Sequence, residues 1–237
     1  FAASARALAE ETATLPEVTV SAPRDKAATP SSVLDAGNLA SGRAATSDSA
    51  SLLRDIPGMS VYTGGGVSSL PALNGLADDR LRIKVDGMDL VSACGNHMNP
   101  PLSYIDPTGV GTIKVFAGIV PVSVGGDSIG GAIQVESPAP EFAAPGQGLL
   151  TKGEAGTFYR SNGDAQGGNL AATFASEKLN LTYRGSTAKA EDYKAGDNFK
   201  PAGLAAAGRE WLDGDVVGSS MYKSSNQSIA LATRRDN

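Results

Sequence analysis

The chain has 237 residues, 19% of them charged, with 29 glycines, 13 prolines and a formal net charge of −5. That acidic balance argues against nucleic acid as a partner, because a phosphate-binding surface needs clustered lysine and arginine. No apolar run approaches the roughly 18–20 residues of a transmembrane helix, which leaves only barrel strands, with their weak alternating signal, as a way to cross a bilayer.

In chain order, residues 1–9 close on Ala7-Leu8-Ala9. This A-x-A pattern reads either as the remnant of a signal peptide cleaved before Glu10 or as an ordinary Ala-rich terminus. Residues 10–47 are rich in Ala, Ser, Thr, Pro and Asp and read as a flexible leader. One island interrupts it: Leu15, Pro16, Glu17, Val18, Thr19, Val20, Ser21 and Ala22. Val18 and Val20 alternate with polar neighbours, which suits an extended peptide adding a strand to a partner's sheet, or an edge strand of this chain's own sheet. Asp48 is placed to cap a short helix through Leu52 and Leu53, stopped by Pro57-Gly58. Met59 to Tyr62 reads as a strand and Gly64 to Gly66 as a loop. Leu81, Ile83 and Val85 alternate with Arg82, Lys84 and Asp86, a half-buried strand running into an Asp86-Gly87 turn. Ile113 to Phe116 and Ala132 to Val135 read as two further strands, separated by the glycine-rich Gly125 to Gly131.

Beyond Pro138-Ala139-Pro140 the texture changes. Leu170, Ala172 and Phe174, then Leu179, Leu181 and Tyr183, then Ile229 and Leu231, alternate with polar or small residues. Ser161 to Asp164 and Glu177-Lys178 read as tight turns, and residues 191–217 as a long polar excursion. Alternating strands with tight turns at one end and long loops at the other describe an outer-membrane barrel wall; the alternative is an ordinary antiparallel sheet.

The only cysteine and the only histidine lie in Cys94-Gly95-Asn96-His97-Met98. A thiol, an imidazole and a thioether so close together form a soft-ligand cluster suited to copper, particularly Cu(I), or to zinc. In a helical turn Cys94 and Met98 would share one face at i and i+4. The plainer reading is a buried thiol beside a surface histidine, with the methionine as filler. Two motifs suggest other chemistry and fail on context. Gly126-Asp127-Ser128-Ile129-Gly130 fits the hydrolase G-x-S-x-G elbow, yet strand residues follow it and the only histidine precedes it. Asp78-Asp79 and Asp86 lack the spacing of a calcium loop.

Taken together, these segments resemble the N-terminal part of a TonB-dependent outer-membrane receptor. Ser51 to Val61 matches the plug family's helix-then-strand signature, Arg80 to Met88 its strand into an Asp-Gly turn, and Gly125 to Val135 its closing glycine-rich turn and strand. Leu73-Asn74-Gly75 departs from the family, which more often has an arginine before the glycine. The resemblance implies an α+β plug domain over residues 48–140, a small mixed sheet with short helices and long loops. Residues 148–237 would then be the first antiparallel strands of a transmembrane β-barrel. About four strands are expected here against about 22 in a complete plugged barrel, so the chain is expected to be a fragment or to stop after the second outer loop. Leu15 to Ala22 is similar to the TonB box.

Cys94 to Tyr104 further resembles the plug segment of outer-membrane copper receptors. That implies Cys94 and Met98 as sulfur ligands in a C-x-x-x-M arrangement, with His97 between them as a third candidate whose ring need not point the same way. The function implied is uptake without catalysis. A copper ion, Cu(I) favoured, is the cargo and no catalytic cofactor is implied. TonB with its inner-membrane energising complex and outer-membrane lipid are the partners, and plug and N-terminus face the periplasm. The alternatives are a receptor for a siderophore or other metal chelate, which would use aromatic and Arg side chains, and a periplasmic metal-binding module that does not transport.

Overall fold

A computed structural model describes residues 30–125, 128–205 and 210–235. The signal remnant 1–9 and the extended peptide Leu15 to Ala22 lie outside these residues, as do Gly126 and Asp127 of the glycine-rich turn.

Two sheets carry the structure. The first part contains β1 (Ser32–Leu34), α1 (Ala36–Ala45), β2 (Met59–Tyr62), β3 (Leu70–Leu73), β4 (Leu81–Val85), β5 (Met88–Asp89), β6 (Thr112–Ala117) and β7 (Gly131–Glu136). Five of these strands form a sheet in the order β1-β6-β7-β4-β5, with β4 and β7 parallel and the other neighbours antiparallel. The alternation predicted for β4, β6 and β7 sorts their side chains as period two requires. Leu81, Ile83, Ile113, Val115, Ile133 and Val135 are buried on one face with Leu39, Leu53, Leu73 and Leu102 from the covering segments. Phe116 and Ala132 pack on the opposite face against Val120 and Val124. The Asp86-Gly87 turn is the two-residue connection of β4 and β5, with φ of 49° and 81°. Both residues are left-handed, as a type I′ hairpin demands, and glycine takes the second position without a Cβ penalty. Asp86 also accepts hydrogen bonds from the backbone N–H and the hydroxyl of Ser137, each at 2.7 Å, which ties the turn to the end of β7.

Two expectations are corrected. The helix predicted after Asp48 is a single 3-10 turn, Ser49–Leu53, and the Asp48 carboxylate caps no backbone group in it. It accepts instead from the Ser51 hydroxyl at 2.6 Å. Only seven residues separate Asp48 from the Ile56-Pro57-Gly58 stop, too few for α-helical bonding to outweigh the tighter i→i+3 pattern. Residues 30–47, read as part of a flexible leader, form β1 and α1. Asp35 caps that helix by accepting from the Asn38 N–H at 3.0 Å. Only Leu39 of its Ala-, Ser- and Gly-rich sequence is buried, so no apolar periodicity announces it.

The second sheet is a meander of long strands, β8 (Leu150–Arg160), β9 (Ala165–Ala175), β10 (Leu179–Ala190) and, after the excursion, β13 (Tyr222–Thr233). Within the excursion β11 (Gly203–Leu204) pairs with β12 (Trp211–Leu212). Register sets Leu181 opposite both Phe174 and Leu231, and Tyr183 opposite both Ala172 and Ile229. This face is apolar yet open, with Ile229 75% and Leu231 68% exposed. The alternate positions carry Asn180, Thr182 and Arg184, and this polar face is turned onto the first domain: Asn180 is 1% exposed and its side-chain amide donates to the Glu141 carbonyl at 2.6 Å. Apolar outside and polar inside is the pattern of a barrel wall around a plug.

Contacts between wall and plug are close. The Arg160 guanidinium at the end of β8 donates to the Ala44 carbonyl in the last turn of α1 at 3.2 Å and to the Ser47 hydroxyl just past the helix at 2.5 Å. A Cβ on Gly66 would come within 2.2 Å of the Tyr222 ring, so this loop can approach β13 only as glycine. Arg160→Ala is expected to weaken the seating of α1 by about 1.5–3 kcal/mol, since hydrogen bonds to a charged donor are lost. Hydrogen exchange of the Gly42 to Thr46 amides checks this, and unchanged protection contradicts it.

Candidate metal site

The chain that bears the sulfur residues leaves β5 and returns toward the Asp78 end of β4. Its first residue is fixed by the Leu90 N–H donating to the Ile83 carbonyl at 3.1 Å. Just before it, Arg82 grips Asp89 in two parallel bonds of 2.6 and 2.7 Å. The Arg82 hydrogen bond, reinforced by its charge and that of Lys84 against a burial penalty, holds the Asp89 carboxyl below the usual carboxylate range. The loop returns at Pro100, which is buried along with Pro101 and Leu102 of the following 3-10 turn, Pro101–Tyr104.

Between these anchors the loop closes on itself. The Asn99 carbonyl accepts from the Ser92 hydroxyl at 3.0 Å and from the Tyr104 hydroxyl at 3.2 Å. The Tyr104 oxygen also accepts from the Ala93 N–H at 3.1 Å. Inside the neck, the His97 N–H donates to the Cys94 carbonyl at 3.1 Å, and His97 has a φ of 51°. Cys94 to His97 is therefore a reverse turn and not the helical turn entertained from sequence. Left-handed backbone at His97 breaks any helix there. Cys94 and Met98 touch through the main chain: the Met98 N–H donates to the Cys94 sulfur at 3.3 Å.

That contact governs the thiol. Backbone N–H groups of Met98, then Asn99, favour the thiolate; partial burial opposes them, and Asn96 and Ser92 add smaller support. The net effect lowers the Cys94 pKa below the ordinary thiol value. Cys94 is half-buried, whereas the Met98 side chain is 66% exposed.

The third candidate is placed differently. The His97 ring lies with Nδ1 3.6 Å from Asp78 Oδ1, lining a shallow pocket with Asp79, Arg80 and Ile129. Asp78 itself has a φ of 57°. Among the described residues, no three of His, Cys, Asp and Glu converge closely enough to hold a metal ion. What this loop offers is a thiolate-prone sulfur that accepts from the backbone of an exposed methionine, a partial set of soft donors.

The residues that shape the loop, Ser92, Asn99 and Tyr104, were not singled out from sequence. The available signal was the Pro100-Pro101 pair, which forces the 3-10 turn that carries Tyr104 back to the neck. The hydrolase-like motif is accounted for locally: the Ser128 hydroxyl donates to the Gly131 carbonyl at 2.5 Å, and Gly131 opens β7 and no helix.

Residues 23–132 match the family model of the TonB-dependent receptor plug domain. Among solved structures, the chain is similar to the copper transporter OprC, with 28% identity and a TM-score of 0.69, over 86% of this chain and 28% of that one. It is also similar in fold to the FrpB iron transporter from Neisseria meningitidis (F3-3 variant), at 21% identity and a TM-score of 0.63, over 86% of this chain and 29% of that one. The hemophore receptor HasR of Serratia marcescens, solved with its hemophore HasA and heme, shares the fold at 16% identity and a TM-score of 0.61, over 83% and 28%. The chain thus spans 28–29% of the length of these structures. No curated protein sequence matches it.

A lowered thiol pKa means that more thiolate is present at a given pH below the ordinary midpoint. The alkylation rate of Cys94 with iodoacetamide is expected to reach half its plateau at lower pH in the folded protein than in the urea-unfolded chain. Coincident rate profiles would contradict the backbone-donor account.

Proposed function

Residues 23–132 belong to the TonB-dependent receptor plug family, and the strands after them are laid out as the start of such a receptor's barrel; on that premise we propose that this chain is part of an outer-membrane receptor that takes up copper. The observation that carries the copper reading is the Cys94–Met98 contact: a thiol biased toward thiolate by backbone donors, with a thioether residue held against it. Thiolate and thioether prefer Cu(I) over the harder divalent ions. A sulfur pair on an exposed plug loop leaves open positions on the ion, which side chains from barrel loops beyond this chain would fill. The likeness to OprC, described as a copper transporter, supports the same reading. His97 is assigned to Asp78 as a loop contact and is not counted among the ligands.

Transport follows from the way the plug is held. Leu15 to Ala22 serves as the extended peptide that TonB captures in the periplasm, pairing as an added strand. Tension applied there reaches β1 first, whose register with β6 spans only Ser32 to Leu34. Next comes α1, which buries Leu39 alone and is otherwise held by polar bonds at its ends. This is the least strongly packed part of the plug, so it yields before the sheet core and frees a path past the Cys94 loop. The open apolar face of Leu170, Phe174, Leu181, Ile229 and Leu231 meets the lipid, and no step in the cycle requires bond chemistry by the protein.

In the full-length receptor, Cys94→Ala is expected to weaken Cu(I) binding at least tenfold, about 1.4 kcal/mol or more, measured by competition with bicinchoninate. Unchanged affinity would remove the site. Deletion of residues 15–22 is expected to leave that affinity intact and abolish energised uptake of radiocopper; undiminished uptake would remove the TonB-box assignment.

A further inference from the structure

We propose that Tyr104 is the positioning residue of the sulfur pair, acting through its hydroxyl as a staple across the neck of the loop. The inference rests on the reading of Cys94 and Met98 as the metal-binding pair. The hydroxyl accepts from the N–H of Ala93, the residue immediately before Cys94, at 3.1 Å. It donates to the carbonyl of Asn99, the residue immediately after Met98, at 3.2 Å. One oxygen therefore fixes both flanks of the C-x-x-x-M segment. The task requires a group that donates and accepts at once, which a hydroxyl does and a phenyl ring does not.

The staple has a firm base and a soft load. Tyr104 ends a 3-10 turn whose Pro101 and Leu102 are buried, and the Ser103 hydroxyl and N–H both bond back to the Pro100 carbonyl, at 2.7 and 2.9 Å. The loop it closes is mostly exposed, and its internal order rests on the Cys94–His97 turn and the Met98 N–H on the Cys94 sulfur. Ser92, on the leading flank, donates to the same Asn99 carbonyl at 3.0 Å and so also spans the neck; what Tyr104 adds is the tie at Ala93, directly beside Cys94. Held in this way, the backbone of Cys94 and Met98 is drawn together before any ion arrives, so less conformational freedom is lost on binding. Without the hydroxyl, Asn99 and with it Met98 drift from Cys94.

The experiment uses the purified full-length receptor with Cu(I) as the probe and compares wild type, Tyr104→Phe and Cys94→Ala. For Tyr104→Phe, Cu(I) affinity is expected to fall roughly five- to fiftyfold, the equivalent of two lost hydrogen bonds. Copper K-edge absorption is expected to lose one sulfur scatterer, a change that general loosening of the fold would not single out. Amide exchange at Ala93 in the metal-free receptor is expected to accelerate, which reports the staple directly even if the variant is less stable. Wild-type affinity and an unchanged sulfur shell in Tyr104→Phe, alongside lost binding in Cys94→Ala, overturn the staple alone. Full binding in Cys94→Ala overturns the metal reading beneath it, and unchanged Ala93 exchange in Tyr104→Phe overturns the hydrogen-bond geometry itself.

Discussion

The central strand β7 is the member on which the plug is hung. It bonds antiparallel to β6 on one side and parallel to β4 on the other, and Ile133 at its middle is fully buried. A parallel neighbour cannot be reached by a tight turn, so the chain between β4 and β7 must travel far before it returns. That obligatory excursion holds β5, the Cys94 loop, the Pro-led turns and β6. The β4–β5 hairpin aims the outgoing chain back toward the Asp78 end of the sheet, which is why His97 finds Asp78 there. The position of the sulfur residues is thus a consequence of a buried strand that carries none of them.

A second constraint comes from the wall. In a water-soluble sheet the apolar face packs inward, and here it faces out while Asn180, Thr182 and Arg160 address the plug. The interface between the two parts is consequently held by hydrogen bonds and close backbone approach, as at Gly66 against Tyr222, and not by a shared apolar core. Interfaces of that kind are specific in register but weaker per unit area than a packed core. The same logic explains α1: with one buried leucine, the helix is held by polar bonds, Asp35 capping its start, Arg43 donating to the Val110 carbonyl and Arg160 reaching the Ala44 carbonyl from the wall.

Inside the loop, electrostatics and geometry act together. Main-chain N–H groups directed at the Cys94 sulfur favour the anionic form that a metal requires. They can be so directed only because the neck at Asn99 is closed and the turn at His97 is left-handed. The His97 ring is turned toward Asp78, so the proposed copper site rests on Cys94 and Met98.

Much of this was legible in the sequence, for a definite reason. Strand periodicity, the Asp86-Gly87 turn and the apolar-out alternation of β9, β10 and β13 are local consequences of side-chain order, so they survive without knowledge of neighbours. The soft side-chain chemistry of Cys94 and Met98 is equally local. Tertiary structure decided the rest, where the stabilising partner is distant along the chain. The helix α1 has no apolar stripe and depends on Arg160, more than a hundred residues away. β8 carries Lys152, Gly153 and Glu154 and is a strand because β9 pairs with it along its whole length. Cys94 and Met98 come together through a reverse turn inside a loop that the Tyr104 hydroxyl bonds across, while the His97 ring lies toward Asp78. Residue order can state which donors are present, but only the folded neck decides which of them face the same point.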